Sequence, residues 1–249
     1  SVDFQEIPNV APNYFFVAKD FEAKKEYDKG FSISELFPLN NVGIVTARDS
    51  FTIHNSKEEV GNTIKAFLSL DAEVARNKFN LGKDVRDWKV SFARKDLESN
   101  YPNTGVFTQI AYRLFDDRWT FYTGKSKGFH CYPRTEVMQH FIKGKNVGLT
   151  LCKQFKTGDN YLHVFITNKI IESSYVSNRT SEITSVFPLY QYQILNGQQT
   201  SERETERSAN LKEGIIQQIA KNLGLIFTIE KETAENTFAP IDILDYIYA

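Results

Sequence analysis

The side chains best equipped for chemistry lie in two neighbouring runs, Tyr112 to Trp119 and Gly128 to Met138. Arg118 and Arg134 carry planar forks that bond two acceptors at once, as on a guanine edge or a phosphate. Lys125 and Lys127, between them, are mobile point charges suited to an anionic backbone. The competing reading is local: Asp116 or Asp117 pairs with Arg113 or Arg118 and merely fixes a hairpin. Arg48, at the end of a β-rich run, Arg86 in Val85-Arg-Asp-Trp88, Lys153, and Asn178-Arg179 in a polar turn complete the candidate set. Trp88 reads as a stacking platform or a core anchor, and the burial habit of large aromatics favours the core.

Charge supports one cationic face. The 249-residue chain has a net charge of −1, yet from Ala111 to Thr157 nine basic residues stand against three acids. A basic centre between acidic flanks suits contact with a polyanion on one side only. A chance fluctuation in a short window is the alternative.

Catalytic patterns are missing. Neither a G-x-G-x-x-G turn nor a P-loop occurs, which disfavours a phosphate-bearing cofactor. His130-Cys131, His140 and Cys152 lack paired zinc spacing, and no G-x-S-x-G elbow is present. No Pro-Pro pair exists, so the Asn/Asp-Pro-Pro-aromatic motif that holds a flipped adenine is absent. Scattered acids such as Glu230 and Glu232 leave only a faint nuclease reading. The sequence therefore predicts no catalytic residue, metal or cofactor of its own. Two cysteines are too few for a disulfide framework, and no apolar run approaches a membrane span or a signal core, which predicts a cytoplasmic protein. The start at Ser1 and the helical end at Pro240 to Ala249 read as an excised fragment.

The elements that must position these residues follow from pattern. Strands are expected at Asn13 to Val17, Val42 to Thr46 and Phe51 to His54. Ser56 with Glu59 opens a capped helix carrying Val60, Ile64 and Phe67. Further helices are expected from Asp71 to Phe79 and from Asp84 to Leu97. Extended periodicity then predicts a hairpin, Val106 to Leu114 and Trp119 to Thr123, with a charged tip at Phe115 to Arg118. Pro133 starts a helix, and strands follow at Val147 to Phe155, Leu162 to Thr167 and Phe187 to Gln193. Asn196 to Asn210 reads as a loop, and helices end the chain from Leu211 and Pro240. The fold class is α+β: a helical N-terminal part (1–100) before a strand-rich, mainly antiparallel part (101–249) with C-terminal helices.

Seven segments in order carry a resemblance: Tyr14-Phe-Phe-Val-Ala-Lys-Asp20; Gly30-Phe-Ser-Ile-Ser-Glu-Leu-Phe-Pro38 with Gly43-Ile-Val-Thr-Ala-Arg-Asp49; Val85-Arg-Asp-Trp88; Tyr112-Arg-Leu-Phe-Asp-Asp-Arg118; Pro133-Arg-Thr-Glu-Val-Met138; Ser177-Asn-Arg179; and Phe187-Pro-Leu-Tyr190. From Tyr14 to Ala249 the chain resembles the C-terminal specificity region of type ISP restriction-modification enzymes and related adenine-N6 DNA methyltransferases. Leu114 stands where that family commonly has Pro. The resemblance implies a DNA target-recognition domain that is not itself catalytic, bound to double-stranded DNA and linked to an upstream methyltransferase domain. S-adenosylmethionine would bind that neighbour. A docking domain within the same enzyme and an unrecognised metal-dependent nuclease are the alternatives.

Overall fold

The computed structural model describes residues 20–154, 160–176, 182–193 and 207–249, with isolated positions 6, 7, 9, 11, 14 and 16. In chain order its elements are α1 (Phe21–Tyr27), α2 (Ile33–Leu36), β1 (Asn41–Val42), α3 (Asp49–Thr52), α4 (Lys57–Leu68), α5 (Ala72–Lys78), α6 (Val90–Asn100), β2 (Val106–Arg113), β3 (Asp116–Tyr122) and α7 (Thr135–Ile142). Then come β4 (Gly148–Cys152), β5 (Val164–Thr167), β6 (Ile170–Ile171), β7 (Thr184–Pro188), β8 (Tyr190–Tyr192), β9 (Arg207–Ala209), α8 (Glu213–Leu223), β10 (Ile226–Phe227), β11 (Thr237–Phe238) and α9 (Pro240–Tyr248). The architecture is α+β.

Two sheets frame the molecule. One has the order β1-β7-β4-β5 and is antiparallel throughout; the other is β3-β2-β6, an antiparallel hairpin extended by a short parallel strand. α4 shows why the helices form where they do. The Ser56 hydroxyl accepts from the Glu59 amide, and the Glu59 carboxylate reaches back to the amide of Asn55, so two end donors are satisfied. Val60, Ile64 and Phe67 then fall on one buried stripe.

That stripe joins Phe51, Trp88, Leu97, Phe121 and Phe129 in a fully buried core. Its members come from both sides of Tyr101, so the helical part and the hairpin pack as one body there. Phe51 contacts the rings of Phe67, Phe79, Trp88 and Phe129, with centroids 4.8–6.4 Å away. Truncating such a hub to Ala costs about 3–5 kcal/mol. A second core lies beneath α7 against Ile110, Ile170 and Val186, and a third joins the four-stranded sheet to α8 and α9.

Several boundaries differ from the sequence expectation. Beyond Asn41–Val42, the first β-rich run contributes only single bridges at Ile44 and Val45. Phe51 to His54 is not a strand: Asp49–Thr52 is a helical turn, closed by the Thr52 hydroxyl on the Arg48 carbonyl and by a Thr46–Asp49 hydrogen bond. α6 begins at Val90 rather than Asp84, because residues 85–88 form a turn and the Asp84 carboxylate caps the Val90 amide. The hairpin tip is Leu114-Phe115, so Arg118 lies within β3 and not in the tip. α7 starts two residues after Pro133, at Thr135. Phe187 to Gln193 divides into β7 and β8 at Leu189, whose amide bonds to Val147. Of the expected loop at Asn196 to Asn210, the described part is ordered: β9 pairs with β8, and the buried Asn210 amide bridges Leu39 and Pro188. Most of the run Asn13 to Val17 lies outside the described residues.

Candidate nucleic-acid interface

The site is built on the segment Val45–Asp49, which passes between the hairpin and the turn holding Trp88. Val45 bridges Tyr132, and Ala47 turns the chain in the left-handed region. Arg48 then folds back to donate to the carbonyls of Ala47, Leu81 and Lys83, with its guanidinium 4.7 Å from the Trp88 ring centre. Trp88 itself is fully buried and donates to the Phe129 carbonyl. It is a core anchor with a cation on its face.

On the hairpin side, the Arg118 fork grips Asp116 with two bonds of 2.8–2.9 Å, the pairing expected of a hairpin-fixing ion pair. The same guanidinium stands over Tyr112, at 4.4 Å, and that of Arg113 does so at 3.9 Å. Tyr112 donates to Asp49 at 2.9 Å, and burial with that carboxylate raises its phenol above the usual range. Arg113 also meets the buried Glu172 at 2.5 Å. Arg48, Asp49, Ser50, Ile53, Tyr112 and Arg118 border an open depression of about 450 Å³.

The other end of the site centres on Asp87. Its carboxylate takes Arg86 at 3.0 Å and Lys127 at 3.0 Å, and these partners with Tyr132 hold it well below the usual carboxylate range. Arg86 also interacts with Tyr132, and its side chain is 89% exposed. Lys127 is placed by a tight loop whose amides bond to the Cys131 and His130 carbonyls. The loop is pinned from beneath by Asp96 of α6, a fully buried carboxylate that accepts from the Phe129 amide and the Thr123 hydroxyl at 2.7 and 2.9 Å. Gly128 lies against that carboxylate so closely that any Cβ would collide with it. Arg134, at the mouth of α7, stacks over Tyr132 at 5.1 Å, and its buried Nε has no hydrogen-bond partner among the described residues. Burial chiefly raises the Cys131 thiol and Asp87 adds to the rise, while Lys127, Arg134 and Arg48 pull it back.

The structure thus joins Arg118, Arg48, Arg134, Lys127 and Arg86 in one tract, with Arg48 linking the depression to the Asp87 cluster. Lys125 is exposed on the same loop as Lys127 and makes no ion pair among the described residues. Lys153 stands apart, over Phe187 of the four-stranded sheet. Asn178 and Arg179 lie outside the described residues. Sequence reasoning missed Asp87 as a shared counter-ion and Tyr112 and Tyr132 as platforms. It also missed the strain: of six described non-glycine residues with positive φ, Ala47, Phe115, Lys127 and Arg134 belong to this tract or its border. Such strain gathers where function holds the backbone.

The model of the Type ISP C-terminal specificity domain matches residues 35–249. The chain belongs to that family. Among solved structures, this specificity domain is similar to the DrdV–DNA complex, with TM-score 0.59 and 17% identity over 99% of this chain and 24% of that one. It is also similar to a nuclease-deletion mutant of the Type ISP restriction-modification enzyme LlaGI in complex with a DNA substrate mimic, with TM-score 0.50 and 16% identity over 85% of this chain and 20% of that one. The domain therefore spans a quarter or less of the length of these relatives. No curated protein matches it.

Proposed function

We propose that this specificity domain grips double-stranded DNA and selects the target for a linked adenine-N6 methyltransferase domain. The observation that carries this reading is the tract from Arg118 through Arg48 to Arg134, Lys127 and Arg86, in which cations gather beside aromatic rings and Arg86 stands exposed. The DNA in the two similar complexes supports it. Arg86, Lys125 and Lys127 are suited to phosphate, while Arg134, whose planar fork can bond two acceptors at once, is suited to a base edge. Arg48 and Arg118 act by holding the platform, since their donors already serve carbonyls and Asp116. Asn178 and Arg179 remain proposed contacts, and Lys153 is proposed only as a peripheral one. The methyl donor, S-adenosylmethionine, would bind the linked domain in the cytoplasm, and this domain would contribute no catalytic group.

The test is a mobility-shift series on a 30-base-pair duplex between 50 and 200 mM salt. The chain binds with a steep salt dependence, and Arg86→Ala/Lys125→Ala/Lys127→Ala makes the slope shallower by about 0.9 per lost contact. A chain that binds without salt dependence is a docking domain instead, and cleavage in Mg²⁺ reveals a nuclease.

A further inference from the structure

The hairpin places its most exposed apolar side chain in a costly position. Phe115 is 98% exposed, the highest value among the described large hydrophobic residues. It occupies the third position of the turn between the paired residues Arg113 and Asp116, with φ at 61°. Gly or Asn takes that left-handed conformation at least cost, and a bulky residue there is strained. Leu114, its neighbour, is half-buried and packs against the core, so the turn is anchored and the Phe115 ring projects. The stem below is rigid. Arg113 is tied to Glu172, Tyr112 to Asp49, Arg118 to Asp116 and Lys169 to Asp117.

Three of those ties set a cation against Glu172, Asp116 and Asp117, and Arg113 also reaches Asp49 at 3.7 Å, so each acid around the tip has a cation beside it. This collar of paired charges opens onto the depression shared by Arg118 and Arg48, which is one end of the cationic tract. A rigid, uncharged aromatic at the end of a phosphate-binding track fits the flat face of a base. Apolar wedges between base steps and aromatic platforms beneath unpaired bases both use this geometry.

We propose that Phe115 is a stacking wedge that inserts against a base of the bound DNA. The inference rests on the DNA-gripping reading and adds a specific contact to it. Because the ring is uncharged, its removal changes affinity without changing the salt slope, which separates it from every phosphate contact.

The experiment compares the whole chain with Phe115→Gly and Phe115→Trp. Gly suits the left-handed turn, so the variant melts no lower than the parent. It binds the 30-base-pair duplex roughly ten- to a hundredfold more weakly, with an unaltered salt slope. Phe115→Trp retains affinity, and its emission, corrected for Trp88 and Trp119 in the parent, is quenched when DNA is added. Equal binding by the parent and Phe115→Gly, or an unquenched Phe115→Trp signal in the bound state, overturns the wedge alone and leaves the tip as a contact for a protein surface. A parent chain that binds no DNA overturns the DNA-gripping reading and the wedge together.

Discussion

Asp87 is the only carboxylate joined to both Arg86 and Lys127 among the described residues, and replacing it should strengthen DNA binding. Deleting an ion-pair partner usually weakens a site. Here the partner competes with phosphate for the same two cations. Asp87→Asn preserves the shape and a hydrogen-bonding oxygen while removing the charge. One more cation becomes available, so the slope of log K against log salt steepens by about 0.9, equivalent to about eightfold tighter binding at 0.1 M salt. Lowering the pH cannot substitute for the mutation, because the same cations hold the Asp87 carboxyl ionised far below the usual range. The assay is fluorescence anisotropy on one duplex at four salt concentrations, with Arg86→Ala as the opposite control. Weaker binding with a shallower slope for Asp87→Asn would refute the competition and make Asp87 an essential positioner of its two partners.

Three further outcomes follow from the same geometry. His130 is fully buried and its ring is pushed down to about 4 by burial, so the folded state stays neutral where the unfolded state, near 6.5, takes up a proton. Stability is therefore complete above pH 6.5 and falls as pH drops towards 4, by about 3 kcal/mol over the window; urea melts should show this slope, and His130→Asn should lack its share. Gly128→Ala should cost roughly 1–3 kcal/mol through collision with Asp96, and a double-mutant cycle with Asp96→Ala should be non-additive, whereas additive losses would separate the two sites. Lys127→Gly relieves a left-handed lysine and should leave melting unchanged or higher, yet flatten the DNA salt slope by about 0.9; a lower melting point would show that the Asp87 ion pair outweighs the strain.

Legibility in the sequence followed the range of the forces involved. α4 was readable because its cap and apolar stripe are both local, and α8 because Gly224 ends it in the left-handed region. The hairpin was readable from alternation, but its tip was displaced: Phe115 adopts a conformation that no turn rule assigns to Phe. β9 was hidden because its support is distant, from Arg207 stacked 3.8 Å over Tyr190 and Asn210 bonded to Leu39. At the site, cation clustering between 118 and 134 was visible as composition. The Arg48 clamp and the shared Asp87 were not, since they depend on segments distant in sequence coming together, Arg48 with Leu81 and Lys83, and Asp87 with Lys127. Arg118 showed the limit most clearly. Its type fits DNA, but its partner is two residues away.

The central claim is the location of the DNA face, and amide hydrogen exchange of the chain with and without a duplex tests it most directly. Protection should appear at 45–49, 84–88, 112–118 and 125–134, with β5, α8 and α9 unchanged. Protection confined to the four-stranded sheet, with none at Arg86, Lys127 or Arg134, would contradict it.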